Sequence, residues 1–259
     1  MQTAPDRVIA GFPEFWDTAY AEHRAYFDAS APLQQLVNRV RQCPASEPLH
    51  KVVRRITILS ANSYGALVTL VSNGYGNDAM KIARSIFEAD LTAGYLLKHP
   101  EEFADYMDYY WVQRKQLYDY MLQYSPEQAK AVDPATVEEL FRKHAAVALR
   151  FKGRSGWCRK TMRQVAEDLD EGMDQLYRTF YRWSSAMHHV NISGLAFQFE
   201  AETLDVDIAP SEKWLDDALV AGFGSILRLL MRCNRELKLG LEKEIDDVFE
   251  LYHNAIRAR

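Results

Sequence analysis

One window of the chain, residues 78–99, constrains the fold more than any other. It reads DAMKIARSIFEADLTAGYLLKH, contains no Pro and ends directly before Pro100. Apolar residues fall on nearly every side of the helix that this window predicts, which is typical of a helix surrounded by other helices. We therefore expect a central helix over residues 80–97, with the rest of the chain packed around it.

Helix breakers are also rare in the rest of the chain. The 259 residues include only 12 Gly and 9 Pro, which favours long helices over many short strands. Apolar residues three and four positions apart predict further helices, among them two near the N-terminus over 13–29 and 32–43. The one window without a helical period is 193–210, where we expect a short loop or hairpin.

The predicted fold class is therefore all-α, a single multi-helix bundle. The sequence shows no linker and no internal repeat, so we expect one helical domain over residues 1–259. Within it we assign an N-terminal helical extension to 1–45, a core to 46–195 and a C-terminal helix pair to 211–259.

Charge and cysteine usage limit the partners and the compartment. The formal net charge of −5 gives no support to broad nucleic-acid binding, so no double-stranded DNA partner is expected. The three Cys residues are far apart and form no CxxC pair, which argues against a disulfide framework or a zinc site and suits a reducing cytoplasm. No run approaches the roughly 20 apolar residues that span a bilayer, and the N-terminus is unlike a signal peptide. We expect a cytoplasmic protein with no membrane partner.

A second window, residues 177–195, concentrates chemically capable side chains and reads YRTFYRWSSAMHHVNISGL. On a regular helix its apolar side carries Tyr177, Phe180, Tyr181, Ser184, Met187 and His188. A second stripe carries Arg178, Arg182, Ser185 and His189, because steps of three and four share a face. The two adjacent histidines therefore point about 100° apart, with His188 nearer the core.

The polar stripe of this window has two interpretations. In the functional one, Arg182 clamps phosphate oxygens through two hydrogen bonds, and a His moves a proton near neutral pH. RNA carries its own nucleophile in the 2′-OH, so such a pair could cut it without a metal. Tyr181 and Asn191 are then candidate substrate-binding residues. In the structural interpretation, a core His bonds a backbone carbonyl and the Arg–His stripe faces solvent.

Ionisable residues also occur on the apolar central helix. Arg84 and Glu88 are four positions apart, so they can pair, and Arg84 has apolar helical neighbours. Asp90 shares the stripe of Ala83 and Ile86. Burying such groups costs about several kcal/mol unless each has a partner. They form either an electrostatic site that faces the Arg/His helix or a satisfied buried network.

A loop tryptophan is a further candidate for contact with a substrate. Trp157 lies in the basic loop KGRSGWCRK, and aromatic and basic residues together can stack a base and hold phosphates. The alternative is a Trp tucked onto the bundle with solvated Lys and Arg around it.

Metal binding has weaker support. Glu47-x-x-His50 and Glu250-x-x-His253 match the Glu-x-x-His element of di-iron helical bundles, with Glu88 as a bridging carboxylate. Both pairs are more easily interpreted as exposed helix ends. We therefore expect no metal and no other cofactor.

The motifs of the two windows together resemble those of a widespread bacterial family of unknown function. In that family a helical domain carries Arg-Ser-x-x-Glu and later Tyr-x-x-x-Ser-x-x-x-His. The first element falls on Arg84, Ser85 and Glu88, and the second on Tyr181, Ser185 and His189. The resemblance covers about residues 59–195.

The same pattern is similar to the wider HEPN class of helical proteins, many of which are metal-independent ribonucleases of toxin and phage-defence systems. Members carry an Arg, four to six residues and then a His, and they often act as dimers with the two motifs facing each other. Arg182 with His188 or His189 satisfies that spacing, although Trp183 follows the Arg where active members commonly have a polar residue. Many HEPN-type domains only bind or assemble.

The resemblance implies an RNA-binding or RNA-cleaving protein of a defence or toxin system that acts as a homodimer. His189 or His188 would transfer a proton, and Arg182 would stabilise charge on phosphate. Ser185 lies on their stripe, and Arg84 and Glu88 would orient them. The competing hypothesis is a non-catalytic helical interaction or scaffold protein with a buried Arg–Glu–His network. A weaker one is a di-metal carboxylate bundle.

Overall fold

A computed structural model describes residues 11–169, 172–188 and 210–257 of the chain. In chain order its helices are α1 (Pro13–Gln42), α2 (Pro48–Ser72), α3 (Gly76–Lys98), α4 (Phe103–Tyr124), α5 (Pro126–Lys130), α6 (Pro134–Val147), α7 (Met162–Leu169), α8 (Met173–Leu176), α9 (Arg182–His188), α10 (Leu215–Leu237) and α11 (Glu242–Arg257). Two 3-10 turns, Pro100–Glu102 and Ala148–Phe151, and a π-helical turn, Tyr177–Tyr181, complete them.

The all-α fold class is confirmed. Among the described residues no β-strand forms, and β pairing is confined to one isolated bridge between Tyr75 and Ser211. No helix of this part of the chain is both long and apolar enough to cross a bilayer. The loop or hairpin expected near 193–210 falls outside the described residues, apart from Pro210.

The chain divides into two compact units. The first takes in the chain up to Tyr95 and again from Ala166 onward, and the second is Leu96–Val165. The single-domain organisation and its three segments therefore stay a prediction.

The first unit is held together by apolar faces of four long helices. α2 packs along α10, and α1 packs against α2, α10 and α11. Leu67 of α2 and Leu219 and Phe223 of α10 are completely buried. Each such side chain stabilises the fold by about 1.5–3 kcal/mol relative to an exposed position.

α3 has the burial that its sequence predicts. The apolar residues Ala79, Met80, Ala83, Ile86, Phe87 and Leu91 are all at most 2% exposed. Asp78 and Ser85 on the remaining side are exposed. The helix thus buries a wide apolar face, and any charged group on that face needs a partner inside the protein.

The predicted boundary between two N-terminal helices is wrong. α1 continues through Pro32, and its backbone instead departs from helical geometry at His23 (φ −110°, ψ 18°). A proline inside a helix costs about 3 kcal/mol because it removes a hydrogen bond and crowds the preceding turn. Ala29 and Leu33 are each 1% exposed on either side of Pro32, so their burial offsets that cost.

The second unit is built around α4, which packs against α5 and α6. Tyr118 of α4 meets Phe141 of α6 edge to face, with ring centroids 6.1 Å apart. α6 begins with a side-chain cap, because the Asp133 carboxylate accepts a 3.0 Å hydrogen bond from the backbone N–H of Thr136. No residue of α4 is fully buried.

Two glycines on neighbouring helices of the first unit test this packing. A Cβ on Gly76 would lie 1.9 Å from the Lys213 carbonyl oxygen, whereas a Cβ on Gly65 would meet no atom within 4 Å. We expect Gly76→Ala to lower the free energy of unfolding by about 1–3 kcal/mol. Gly65→Ala should raise it by about 0.5–1 kcal/mol, because Ala favours the helix. Urea denaturation followed by circular dichroism checks both, and equal midpoints would contradict the packing.

Candidate functional site

Three side chains from α3 and the π-helical turn meet in the first unit. We call Arg84, Glu88 and Tyr181 the Arg84 cluster. Arg84 Nε donates to Glu88 Oε1 at 3.1 Å, and Arg84 Nη2 donates to the Tyr181 hydroxyl at 3.1 Å. The Tyr181 hydroxyl donates to the same Glu88 Oε1 at 2.8 Å. The predicted Arg84–Glu88 pair is therefore present, and Tyr181 closes it into a ring of hydrogen bonds.

Local geometry explains why these three side chains meet. Arg84 and Glu88 are one helical turn apart on α3, so both point towards the same side. Tyr181 ends the π-helical turn, and its ring stacks on Tyr177 with centroids 4.7 Å apart and planes at 20°. The Arg84 guanidinium carbon lies 4.8 Å from the centroid of the Tyr181 ring. Arg84 thus contacts Tyr181 both through its hydroxyl and through its ring face.

The electrostatics of the cluster keep the tyrosine neutral. Burial raises the pKa of the Tyr181 phenol above its ordinary value, and the hydrogen bond to the Glu88 carboxylate raises it further, against the opposing effect of Arg84. The phenol therefore remains a hydrogen-bond donor at neutral pH. The Arg84 side chain is 15% exposed, and its buried Nη1 has no hydrogen-bond partner among the described residues.

α9 begins directly after the cluster and presents Arg182 outward. Arg182 is exposed, and it makes no hydrogen bond or ion pair with any other described residue. Ser184 is buried, and its hydroxyl donates to the Tyr181 carbonyl at 3.0 Å, while Ser185 is half-buried. The cluster therefore fixes the start of the helix on which the predicted stripe lies.

The predicted histidines have different outcomes. His188 is exposed, so its expected position near the core is wrong. Ser184 and Met187, which the same periodicity places on the apolar side, are buried as expected. His188 is the last described residue of α9 and follows Met187 by about 100°, so it lies beyond the edge of the buried face. His189 and Asn191 lie outside the described residues.

A second polar cluster joins α3 to α10 in the same unit. Asp90 is completely buried, and it accepts from Arg228 Nε at 2.6 Å and from Arg232 Nε at 3.2 Å. Sequence reasoning marked Asp90 as a buried carboxylate but missed both partners. The signal for them was two arginines four positions apart on the apolar helix α10, which must share one face.

Trp157 lies in the second unit, where it is half-buried. Its ring meets Tyr106 edge to face at 5.1 Å. Asp105 accepts from Arg154 of the same loop at 2.7 Å and from Arg150 of the preceding 3-10 turn at 2.9 Å. These contacts agree with the packing interpretation of the loop, and a substrate contact by Trp157 stays a prediction.

The two Glu-x-x-His pairs lie on separate helices. Glu47 is the N-cap residue of α2, and Glu250 is exposed in the middle of α11. Among the residues that the structure describes, no group of three or more His, Cys, Asp and Glu side chains is placed to hold a metal ion. The described geometry offers the di-metal hypothesis no support.

The fold and the Arg84 cluster define an all-helical protein with a polar network between α3 and the turn before α9. Residues 50–205 match DUF5677, a family of unknown function. The match covers more than half of the chain, so the protein belongs to this family. A search of curated proteins and a search of solved structures each returned no match.

This membership agrees with the predicted resemblance to an uncharacterised family. Both predicted motifs, from Arg84 to Glu88 and from Tyr181 to His189, lie within the matched range. The similarity to the HEPN class stays a prediction.

Removal of one hydroxyl tests the Arg84 cluster. Tyr181→Phe takes a hydrogen-bond partner from both Arg84 and Glu88, so we expect the free energy of unfolding to fall by about 1–3 kcal/mol. Tyr177→Phe is the matched control, because it keeps the stacked rings and its hydroxyl has no hydrogen bond within the described residues. Chemical denaturation measures both, and equal losses would show that the hydroxyl of Tyr181 does not matter.

Neutralisation of Asp90 tests the second cluster. Asp90→Asn leaves Arg228 and Arg232 without their carboxylate, and loss of one partner of a buried ion pair costs about 3–5 kcal/mol. Asp119→Asn removes an exposed carboxylate that pairs with Lys115 at 2.6 Å, and should cost less than about 1 kcal/mol. Thermal and urea unfolding of the two variants give the comparison. A loss for Asp90→Asn as small as that for Asp119→Asn would contradict this account.

Proposed function

We propose that the protein binds RNA, or cleaves it without a metal, in the manner of HEPN-type helical proteins. The observation that supports this most is the state of Arg182. Its side chain is exposed and unpaired within the described residues, at the start of a helix that the Arg84 cluster fixes in place. An exposed, unpaired guanidinium on a helix whose start is fixed is suited to bind a phosphate through two parallel hydrogen bonds.

A neighbouring arginine, Arg178, differs from Arg182 in its charge partners. Arg178 is also exposed, but its Nε donates to both Asp174 oxygens at 2.8–2.9 Å and its Nη2 to Glu167 at 3.2 Å. Its charge is therefore already balanced. Arg182 keeps its charge available in a protein whose formal net charge is −5. An available cation on an acidic protein is a local anion site rather than part of a broad basic surface.

The proposed reaction uses residues of the α9 window. His189, or His188, takes the proton of a 2′-OH as general base. The 2′ oxygen then attacks the adjacent phosphorus to form a 2′,3′-cyclic phosphate, the bond to the 5′ oxygen breaks, and that oxygen takes a proton from water. Arg182 stabilises the negative charge that develops on the phosphate. No metal is needed because the nucleophile belongs to the RNA.

The remaining predicted residues have supporting roles in the proposal. Arg84 and Glu88 are positioning residues, because they act on α9 through Tyr181. Ser185 is grouped with the catalytic residues of the stripe, and Asn191 is a proposed substrate contact. A substrate contact by Trp157 of the second unit is a separate prediction. Service in a bacterial defence or toxin system, as a homodimer, is part of the same proposal and rests on the HEPN resemblance alone.

One observation favours a different class of function. The hydrogen bonds of the Arg84 cluster largely satisfy one another, as they would in a network that only fixes packing. The second candidate is therefore a non-catalytic helical interaction protein in which the cluster sets the direction of α9.

Single-stranded RNA distinguishes the two functions. The purified protein is incubated with end-labelled RNA in a buffer that contains EDTA, and cleavage and binding are measured together. We expect Arg182→Ala to lower the cleavage rate by about 100-fold, the usual effect of removing one group that stabilises transition-state charge. If the protein binds without cleaving, the same variant should weaken binding about tenfold and reduce its salt dependence.

Arg178→Ala is the matched control, because it removes an exposed arginine whose charge is already balanced. It should leave cleavage and binding unchanged. His188→Ala and His189→Ala show which histidine transfers the proton. Equal cleavage by every variant would identify a contaminating nuclease, and neither binding nor cleavage by the wild type would leave the interaction protein as the function.

A further inference from the structure

α4 carries an apolar seam on one side of the second unit. We define the α4 seam as Phe103, Met107, Tyr110, Arg114, Leu117, Met121 and Tyr124. These residues follow one another in alternating steps of four and three, and six of the seven are apolar. Such a repeat over three heptads is the pattern with which two helices form a coiled coil.

Five of the seven seam residues are exposed although most are apolar, and Phe103 and Met121 are half-buried. Met107 is 46% exposed, Leu117 52% and Tyr124 71%. α6 covers a different side of α4, where Tyr118 meets Phe141 and Trp111 lies under the Lys143 ammonium. α4 therefore has one apolar side against α6 and a second one that faces solvent.

We infer that the α4 seam is a self-association surface, on which α4 of a second copy of the chain packs antiparallel. The helix has 22 residues and so is about 33 Å long, enough for three heptads of contact. This inference is independent of the RNA proposal, because it involves no residue of α9 or of the Arg84 cluster.

The exposed area fits a pair of copies. The uncovered parts of the seam residues Met107, Tyr110, Leu117 and Tyr124 amount to about 440 Å², given about 200 Å² for a large side chain. Two copies would therefore bury about 880 Å² of apolar seam, and with Arg114 and the exposed residues beside the seam they reach the roughly 1,200 Å² at which stable interfaces begin. A patch of this size is comparable to the largest on a typical monomer, and such patches are often functional.

The charge at the centre of the seam selects the direction of the pair. Arg114 is the fourth of the seven seam residues, and its guanidinium lies 5.9 Å from the Tyr110 ring of its own chain. In a parallel pair the two Arg114 side chains would face each other, which like charges oppose. In an antiparallel pair each Arg114 can instead lie over the Tyr110 ring of the second copy, an attractive cation–π contact.

Sedimentation velocity of the purified chain, from low to high micromolar concentration, tests this inference. The wild type should change from monomer to dimer with increasing concentration. Leu117→Arg places a second cation in the seam and should raise the dissociation constant at least about tenfold. Arg114→Gln removes both cation–π contacts of the antiparallel pair without adding an apolar side chain, and should raise the dissociation constant by about fivefold. Helix content measured by circular dichroism verifies that each variant is folded.

Gln116→Arg is the matched control, since it introduces the same side chain at the adjacent exposed position outside the seam. It should dimerise like the wild type. A wild type that stays monomeric at every concentration overturns the inference, as does equal association of Leu117→Arg and Gln116→Arg. An Arg114→Gln variant that associates more tightly than the wild type overturns the antiparallel pairing, because it indicates that the two arginines face and repel each other.

Discussion

A completely buried carboxylate, Asp90, is the constraint on which the first unit most depends. It lies on the apolar face of α3 and is balanced by Arg228 and Arg232 of α10. Without both arginines, burial of the Asp90 carboxylate would cost on the order of several kcal/mol. The pairing therefore allows α3 and α10 only one relative rotation, the one that brings the three charges together. Apolar packing alone would tolerate several such rotations.

The rotation that Asp90 sets for α3 also determines where Arg84 and Glu88 point. They lie six and two positions before Asp90 on the same rigid helix. The Arg84 guanidinium then holds Tyr181 by its hydroxyl and its ring, and Tyr181 in turn precedes Arg182. A chain of directional contacts thus runs from the buried core to an exposed cation. The contacts of Asp90 and those of Arg84 each involve a charge, so both sets are specific in angle as well as in distance.

The sequence was sufficient for features that depend on local spacing. The limits expected for the central helix, 80–97, lie within α3, and the Arg84–Glu88 pair follows from a separation of four. Contacts between distant segments were not predictable from local patterns. The two arginines of α10 share a face, but their spacing does not identify Asp90 as their partner, and the bond from Tyr181 to α3 leaves no local pattern. His188 was predicted near the core because it is adjacent to Met187, but it lies beyond the edge of the buried face.

The π turn before α9 gives the site an unusual dependence on chain length. A π turn is equivalent to one residue inserted into an α-helix. The segment Tyr177–Tyr181 is therefore one residue longer than the α-helical turn that it replaces. Loss of any one of them would let the segment relax to a regular α-helix and turn α9 by about 100° relative to α3. Arg182 would then point in another direction although the composition and charge of the protein were almost the same. A one-residue gap in this segment would therefore move the side chain at position 182 to a different face more surely than a substitution elsewhere would.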